Sequence, residues 1–337
     1  MGSKLLICDQ FNNRVIKTTL RGDIVWQYGL GPQNFTCESV IGPVSAEIIG
    51  RSTLIACSGI PPGIVFDALQ GVVDNRVVLI NKHKEIVWQY GQFGKTGITH
   101  NLLNMPSYAA FIICNPNRKS ENDDRKNDGS RSSDGEVDVD ILITDRGNNR
   151  VIRVNANHHI VWQYPNIKSK LCLNMPSSAI AVGDNYLIAD EGNNRALEVD
   201  CDCDVVKIFT AGGTLGQCSF AKRLCNGNTL LVDQTNSRVV EVNCDDCIVW
   251  QYITDSEALS VITPQPTRAF RNEDGSTMIA DYLNNRIIEV GIKNTIVGYY
   301  GLPMVGNTDL IGTNIGYNPL TTQLGLFGPI DIKVICD

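Results

Sequence analysis

An aspartate precedes an arginine by five positions at five places in this chain: Asp9 and Arg14, Asp145 and Arg150, Asp190 and Arg195, Asp233 and Arg238, Asp281 and Arg286. A carboxylate held against a guanidinium could move a proton or steady an anion. Catalysis, however, needs one asymmetric constellation. A pair repeated along the chain points instead to structure, the aspartate satisfying turn amides and the arginine lying along a sheet and pairing with a neighbour. Imidazole chemistry has little to draw on. The chain has four histidines. His83, His158 and His159 sit in short turns between strand-like runs, and His100 alone falls in a longer loop. One histidine cannot supply a histidine-built metal site. No position stands out as a nucleophile or a base.

The elements that carry these pairs are repeats. NNRVI is written at Asn12 and Asn148, with DNRVV at Asp74, NNRAL at Asn193, NSRVV at Asn236 and NNRII at Asn284. The Arg76 unit lacks an aspartate five positions earlier. Insertions aside, the unit is roughly 43–48 residues, the length of a propeller blade. Beyond the arginine, IVWQY places Trp26, Trp88, Trp162 and Trp250, with Lys207 and Gly298 at the equivalent position of units four and six. Each unit reads as four short strands, A to D, rich in β-branched and aromatic residues. In unit three these are SYAAFIIC, VDILITD, RVIRV and HIVWQY, with the turn cluster DRGNN between B and C. The first unit starts at strand B, and the last residues, GPIDIKVICD, read as a strand A. Joined, they complete one blade and remove two unpaired edges. The expected fold is all-β: a single domain over residues 1–337, a six-bladed β-propeller with four antiparallel strands per blade, closed by the C-terminal strand joining the N-terminal blade.

The pattern D-x-x-N-N-R-[VI], with Pro43, Pro106, Pro176, Pro266 and Pro329 opening strand A, resembles the NHL repeat over nearly the whole chain. The IVWQYG ending departs from the usual NHL outer strand. It is similar to the tryptophan docking motif of quinoprotein propellers, which have eight blades. The NHL resemblance implies that function lies on the face carrying the D–A and B–C loops, around the central channel, which agrees with where loops carry function. On that reading Gln10, Arg146, Glu191, Gln234 and Tyr282 rim the face. Glu47, Tyr108, Lys222, Arg268, Asp331 and Lys333 of strand A line the channel. The ligand-binding candidates are Glu47, Arg146, Glu191, Lys222, Arg268, Tyr282 and Asp331, whose mixed charge suits a polar small molecule or a peptide terminus. A wet, polar channel with no ligand is the competing reading. NHL relatives that act as amidating lyases carry metal-binding histidines around the channel. Gluconolactonase-like and paraoxonase-like enzymes hold calcium with Glu, Asn and Asp, and Glu47 and Asp331 could imitate part of such a set. No cofactor other than that possible calcium is implied. Blade two inserts GIPPGIVFDALQGVV into its B–C loop, either as a partner-binding lip or as a plug over the channel.

The formal charge of −7 argues against a global grip on nucleic-acid phosphates. No run of about 18 apolar residues is long enough to span a membrane. The N-terminus is too short and polar for a signal peptide, so the chain either stays inside the cell or has lost a leader. Among twelve cysteines, Cys8, Cys57, Cys114, Cys225 and Cys336 sit at strand ends and are expected to pack as small apolar groups. Cys201, Cys203, Cys244 and Cys247 fall in the C–D turns of blades four and five, exposed for a local disulfide or for cross-linking between molecules. Residues 116–138, dense in both charges, are expected to form a flexible insertion in blade three. The expected function is a non-enzymatic binding or structural scaffold. It engages a protein partner, or a copy of itself, through the D–A/B–C face or the exposed turns. The alternative is a metal-dependent lyase or hydrolase acting on a small polar substrate in the channel.

Overall fold

The computed structural model describes residues 3–65, 68–113, 139–254, 263–301 and 325–335. The charged insertion, most of the longest D–A loop, Cys114 and Cys336 lie outside them. Six four-stranded antiparallel sheets make six blades. In blade one, strands A to D are Pro329–Ile335, Lys4–Asp9, Arg14–Thr19 and Ile24–Tyr28. Blade two runs Pro43–Ile49, Ser52–Ile60, Val72–Ile80 and Ile86–Gly91. Blade three runs Pro106–Ile113, Val139–Asp145, Arg150–Val154 and Ile160–Tyr164. Blade four runs Ser178–Val182, Asn185–Asp190, Arg195–Val199 and Val205–Phe209. Blade five runs Cys218–Arg223, Thr229–Asp233, Arg238–Val242 and Ile248–Ile253. Blade six runs Pro266–Arg271, Thr277–Asp281, Arg286–Val290 and Ile296–Tyr300.

The ring closes as its ends predict. Leu6 pairs with Lys333 and Ile7 with Ile332, so the two chain ends share one sheet. A single blade is too thin to hide both of its faces, and the packing shows how the ring solves this. Six apolar clusters form, one at each junction of adjacent blades; that between blades five and six also takes in Tyr108 and Ala110 of blade three, across the axis. One joins blades two and three through Leu54, Val77 and Tyr90 against Ala109, Ile143 and Ile152. Another joins blades six and one through Ile279's neighbours Met278 and Ala280 against Leu5, Ile7 and Ile332. Strands therefore carry apolar residues on both faces, and the terminal Tyr or Phe of strand D (Tyr28, Tyr90, Tyr164, Phe209, Tyr252, Tyr300) is buried in each interface. A seventh cluster has a different origin. Val65 and Ala68 of the blade-two insertion pack with Phe11, Ile41, Ile60 and Phe327, and with the side of Tyr282.

Candidate functional site

The recurring polar residues form one device, copied around the ring. The aspartate ends strand B directly opposite the arginine that opens strand C. Arg Nε lies 2.7–2.8 Å from the carboxylate in blades one and three to six. The other carboxylate oxygen accepts an N–H from the loop entering strand A of the same blade, at 2.7–3.1 Å from Phe327, Asn104, Asn174, Gly216 and Gln265. The first Asn of the NN pair donates to the same aspartate. The second Asn turns outward to the next blade. Its backbone is left-handed (φ near +50° at Asn13, Asn75, Asn149 and Asn285), and its side-chain Oδ1 accepts an N–H just before strand A of the neighbour, from Gly42, Met105, Met175 and Gly328. Blade two differs from its sequence reading. Asp74, two residues before Arg76, supplies the missing carboxylate, pairing with Arg76 and accepting the Ile41 N–H. Burial pushes the Asp9, Asp74 and Asp145 carboxyls up, against the opposing pull of their arginines and hydrogen-bond donors.

A second device works at the rim. The Trp indole N–H donates into the C–D turn of the next blade, Trp88 to Ala156, Trp162 to Cys201 and Trp250 to Asn294. Lys207 does the same toward the Cys244 carbonyl where blade four has no tryptophan. The next turn answers with its left-handed residue. His158 and Cys203 reach the Gln89 and Gln163 carbonyls, and Asp246 accepts the Thr210 and Ala211 N–H groups. These contacts explain the turn cysteines. Cys201, Cys244 and Cys247 are exposed, but Cys203 is buried, because its thiol is the residue that docks on blade three. Burial raises the Cys203 thiol pKa. Of the strand-end cysteines, Cys8 and Cys57 are buried as expected, while Cys225 is exposed in an A–B turn.

Strand A brings two layers of side chains to the axis. By register, Ser45, Tyr108, Ser178, Phe220, Arg268 and Asp331 form the layer nearer the D–A loops. Glu47, Lys222, Phe270 and Lys333, with Ala110 and Ile180, form the next. Arg268 is buried and closes the upper layer. One terminal nitrogen donates to the carbonyls of Ser219 and Thr267, each at 2.8 Å, and the other to Ser107 and Ser177 at 3.3 and 3.1 Å. Four consecutive blades thus meet on one guanidinium. Its faces rest on Tyr108 and Phe220, and Asp331 lies 4.0 Å from its Nε. A belt of hydroxyls runs alongside: Ser107 donates to Pro176, Ser177 to Ser219, Ser219 to Thr267 and Thr267 to Ile330. The sequence reading passed over these hydroxyls. Their signal was a Ser or Thr at the start of strand A in unit after unit.

Below Arg268 the channel widens into a cavity of about 370 Å³, which Glu47, Lys222, Asp331 and Lys333 line together with aromatic and aliphatic side chains. Glu47 accepts the Phe111 N–H, Asp331 accepts the Ala46 N–H, and Lys333 donates to the Ala46 carbonyl. Burial pushes the Tyr108 hydroxyl up to about 12. The lining comes from the later halves of the A strands, so the cavity sits toward the A–B turns, away from the D–A loops. On the D–A face the remaining candidates pair with one another. Arg146 holds Glu191 in a two-pronged ion pair (2.7 and 2.8 Å), and Tyr282 donates to Gln10 at 3.0 Å. The seven candidates therefore fall into two groups: Glu47, Lys222 and Asp331 around the cavity with Arg268 as its roof, and Arg146, Glu191 and Tyr282 on the loop face. Among the described residues no three His, Cys, Asp or Glu side chains converge as a metal site. No helix among them is long and apolar enough to cross a membrane.

Comparison with family models and with curated proteins finds no match. Solved structures do match in fold. A chain of the nidogen/laminin complex has a TM-score of 0.55 at 11% identity, covering 99% of this chain and 98% of that one. A protein of unknown function from Bacteroides caccae has a TM-score of 0.54 at 10% identity, covering 89% of this chain and 93% of that one. Virginiamycin B lyase from Staphylococcus aureus has a TM-score of 0.45 at 12% identity, covering 78% and 71%. That last score is too low to carry an argument about shared chemistry. The first two show a six-bladed β-propeller fold.

Proposed function

We propose that this chain is an NHL-type, non-catalytic binding platform whose partner is a protein, seated on the D–A/B–C face around blade two. The observation that carries this reading is the concentration of exposed apolar side chains there. Leu30, Leu69, Val73, Ile98 and Met105 are 43–60% exposed; four lie on the loops into, within or out of that blade, and Val73 lies near the start of its strand C, at the end of the insertion. The insertion presents Leu69 and Val73 while its Val65 and Ala68 anchor it in the seventh cluster, against Phe11 and Phe327. Clustered exposed apolar residues mark interaction surfaces; those on the outer strands, such as Val25, Val87, Val161, Val206, Val249 and Val297, instead recur at one repeat position in every blade. The repeated Asp, Asn and Arg residues support the same reading, since ring closure already uses them. The similarity to a chain of a protein complex is in keeping with a partner-binding propeller.

The test is a photo-crosslinking amino acid placed at Leu69, and at Val206 on the outer strand of blade four as a control. A crosslinked protein, or a crosslinked second copy of the chain, at Leu69 and not at Val206 supports the platform. Equal labelling at both positions, or none at Leu69, refutes it.

A further inference from the structure

The axial cavity has an apolar wall and charged groups that, once the adjoining Arg268 is counted, carry one more cation than anion. Glu47 and Asp331 share its lining with two cations, Lys222 and Lys333, and behind the lining Asp331 also lies 4.0 Å from the Nε of a third, Arg268. Both carboxylates already accept backbone N–H groups, and Lys333 already donates to a backbone carbonyl and lies over the Tyr108 ring. Lys222 is different. Its ammonium lies over the face of Phe270, 4.0 Å from the ring centroid, and among the described residues it makes no hydrogen bond or close ion pair, Glu47 and Asp331 acting on it only at longer range. An ammonium has three donors, and a ring face satisfies none of them fully. Around it the wall is apolar, from Phe220, Phe111, Ile180 and Val334. The volume of about 370 Å³ lies within the range of small-ligand clefts.

We propose that this cavity binds a small monocarboxylate, its carboxylate seated against the Lys222 and Lys333 ammonium groups and its apolar body against the aromatic wall. The chemistry follows from the charge count. One anionic head brings the set of five charged residues to balance, whereas a cation or a calcium ion would add to the excess. Burial, and after it the neighbouring Lys333, hold the Lys222 ammonium below its ordinary pKa. A carboxylate between the two lysines removes that repulsion and supplies acceptors to Lys222. Arg268 bars the route from the loop face, so the ligand enters past the A–B turns. The site is thus independent of the protein-binding face proposed above, and either can fail alone.

Three isosteres of different charge test it: benzoate, benzamide and benzamidinium, titrated into the whole chain by calorimetry and by saturation-transfer NMR. The expected order has benzoate binding at least about tenfold more tightly than benzamide, with benzamidinium the weakest, as befits a charged hydrogen bond in a desolvated site. Lys222→Met is expected to abolish the preference for benzoate over benzamide, and Lys222→Arg to restore part of it. Equal binding of benzoate and benzamide would show an apolar pocket only. Tighter benzamidinium would make Glu47 and Asp331 the dominant groups. Either result, no binding of any of the three, or an unchanged preference in Lys222→Met, overturns the proposal. The wild-type ranking alone decides it should Lys222→Met not fold.

Discussion

Four blades meet on Arg268, and its removal gives a sharp test of how the ring is held at its axis. Replacement by Met keeps the aliphatic stem between Tyr108 and Phe220 and deletes four hydrogen bonds to backbone carbonyls. The Ser219 and Thr267 carbonyls keep a donor each, from the hydroxyls of Ser177 and Ser219. The Ser107 and Ser177 carbonyls lose theirs, and Asp331 loses the cation 4.0 Å away. Breaking a buried charged partner in this way costs about 3–5 kcal/mol. A chain of this length unfolds with an entropy of about 0.7 kcal/mol/K, so Arg268→Met is expected to lower the Tm by about 4–7 °C. Arg268→Lys separates charge from geometry. An ammonium preserves the sign but cannot fork to four carbonyls. It is expected to recover less than half of the loss in a calorimetric scan. A Lys variant at the wild-type Tm, or a Met variant within about 1 °C of it, would refute the idea that the guanidinium fork ties the blades together.

Other expectations follow from the same structure. Asn149→Ala, which removes the acceptor for the Met175 N–H and puts a Cβ-bearing residue without a polar side chain at φ +53°, should cost about 1–3 kcal/mol by denaturant titration. Asn149→Gly relieves only the backbone part. In a timed alkylation at mildly alkaline pH, Cys244 and Cys247 should react at once, while Cys203 and Cys218, buried and with thiol pKa values raised by burial, should react only on unfolding. Lys222 supplies a pH test. Its folded pKa lies below the unfolded one, so between the two the unfolded chain binds more protons and stability rises with pH. The wild type should therefore gain stability relative to Lys222→Met as pH rises toward the ordinary lysine range, as read by paired chemical denaturations. A difference between the two that stays flat across that range would mean that Lys222 pays no burial penalty.

The fold was legible because its signals are periodic. NNR marks the B–C turn, the left-handed second Asn is a position that asparagine tolerates, and a missing first strand is matched by a surplus last one. The rim contact was half legible: an indole N–H needs a partner, but only the neighbouring blade shows that the partner is a turn carbonyl. What escaped was substitution of one device by another. Asp74 does from two residues away what its counterparts do from five, because blade two runs strands B and C further, pairing Ile60 with Val72, before its insertion. Lys207 reaches the turn that a tryptophan reaches elsewhere. Cys203 looked like an exposed thiol because its turn is exposed, and the left-handed residue of that turn is the one that faces inward.

The two axial layers show why the site resists a sequence reading more than the frame does. Each strand A contributes one residue to each layer at a fixed register, so the frame can be aligned position by position. The contents obey no repeat. The upper layer holds one cation and one anion, and the lower holds two lysines and one glutamate. Opposite charges brought together by a closed ring come from residues more than two hundred positions apart, such as Glu47 and Lys333, and only closure decides that they meet. A propeller thereby gains a scaffold whose six interfaces are interchangeable in kind and an axis where every position can differ. Chemical selectivity can then arise from substitutions in strand A that leave the Asp, Asn and Arg clasp untouched.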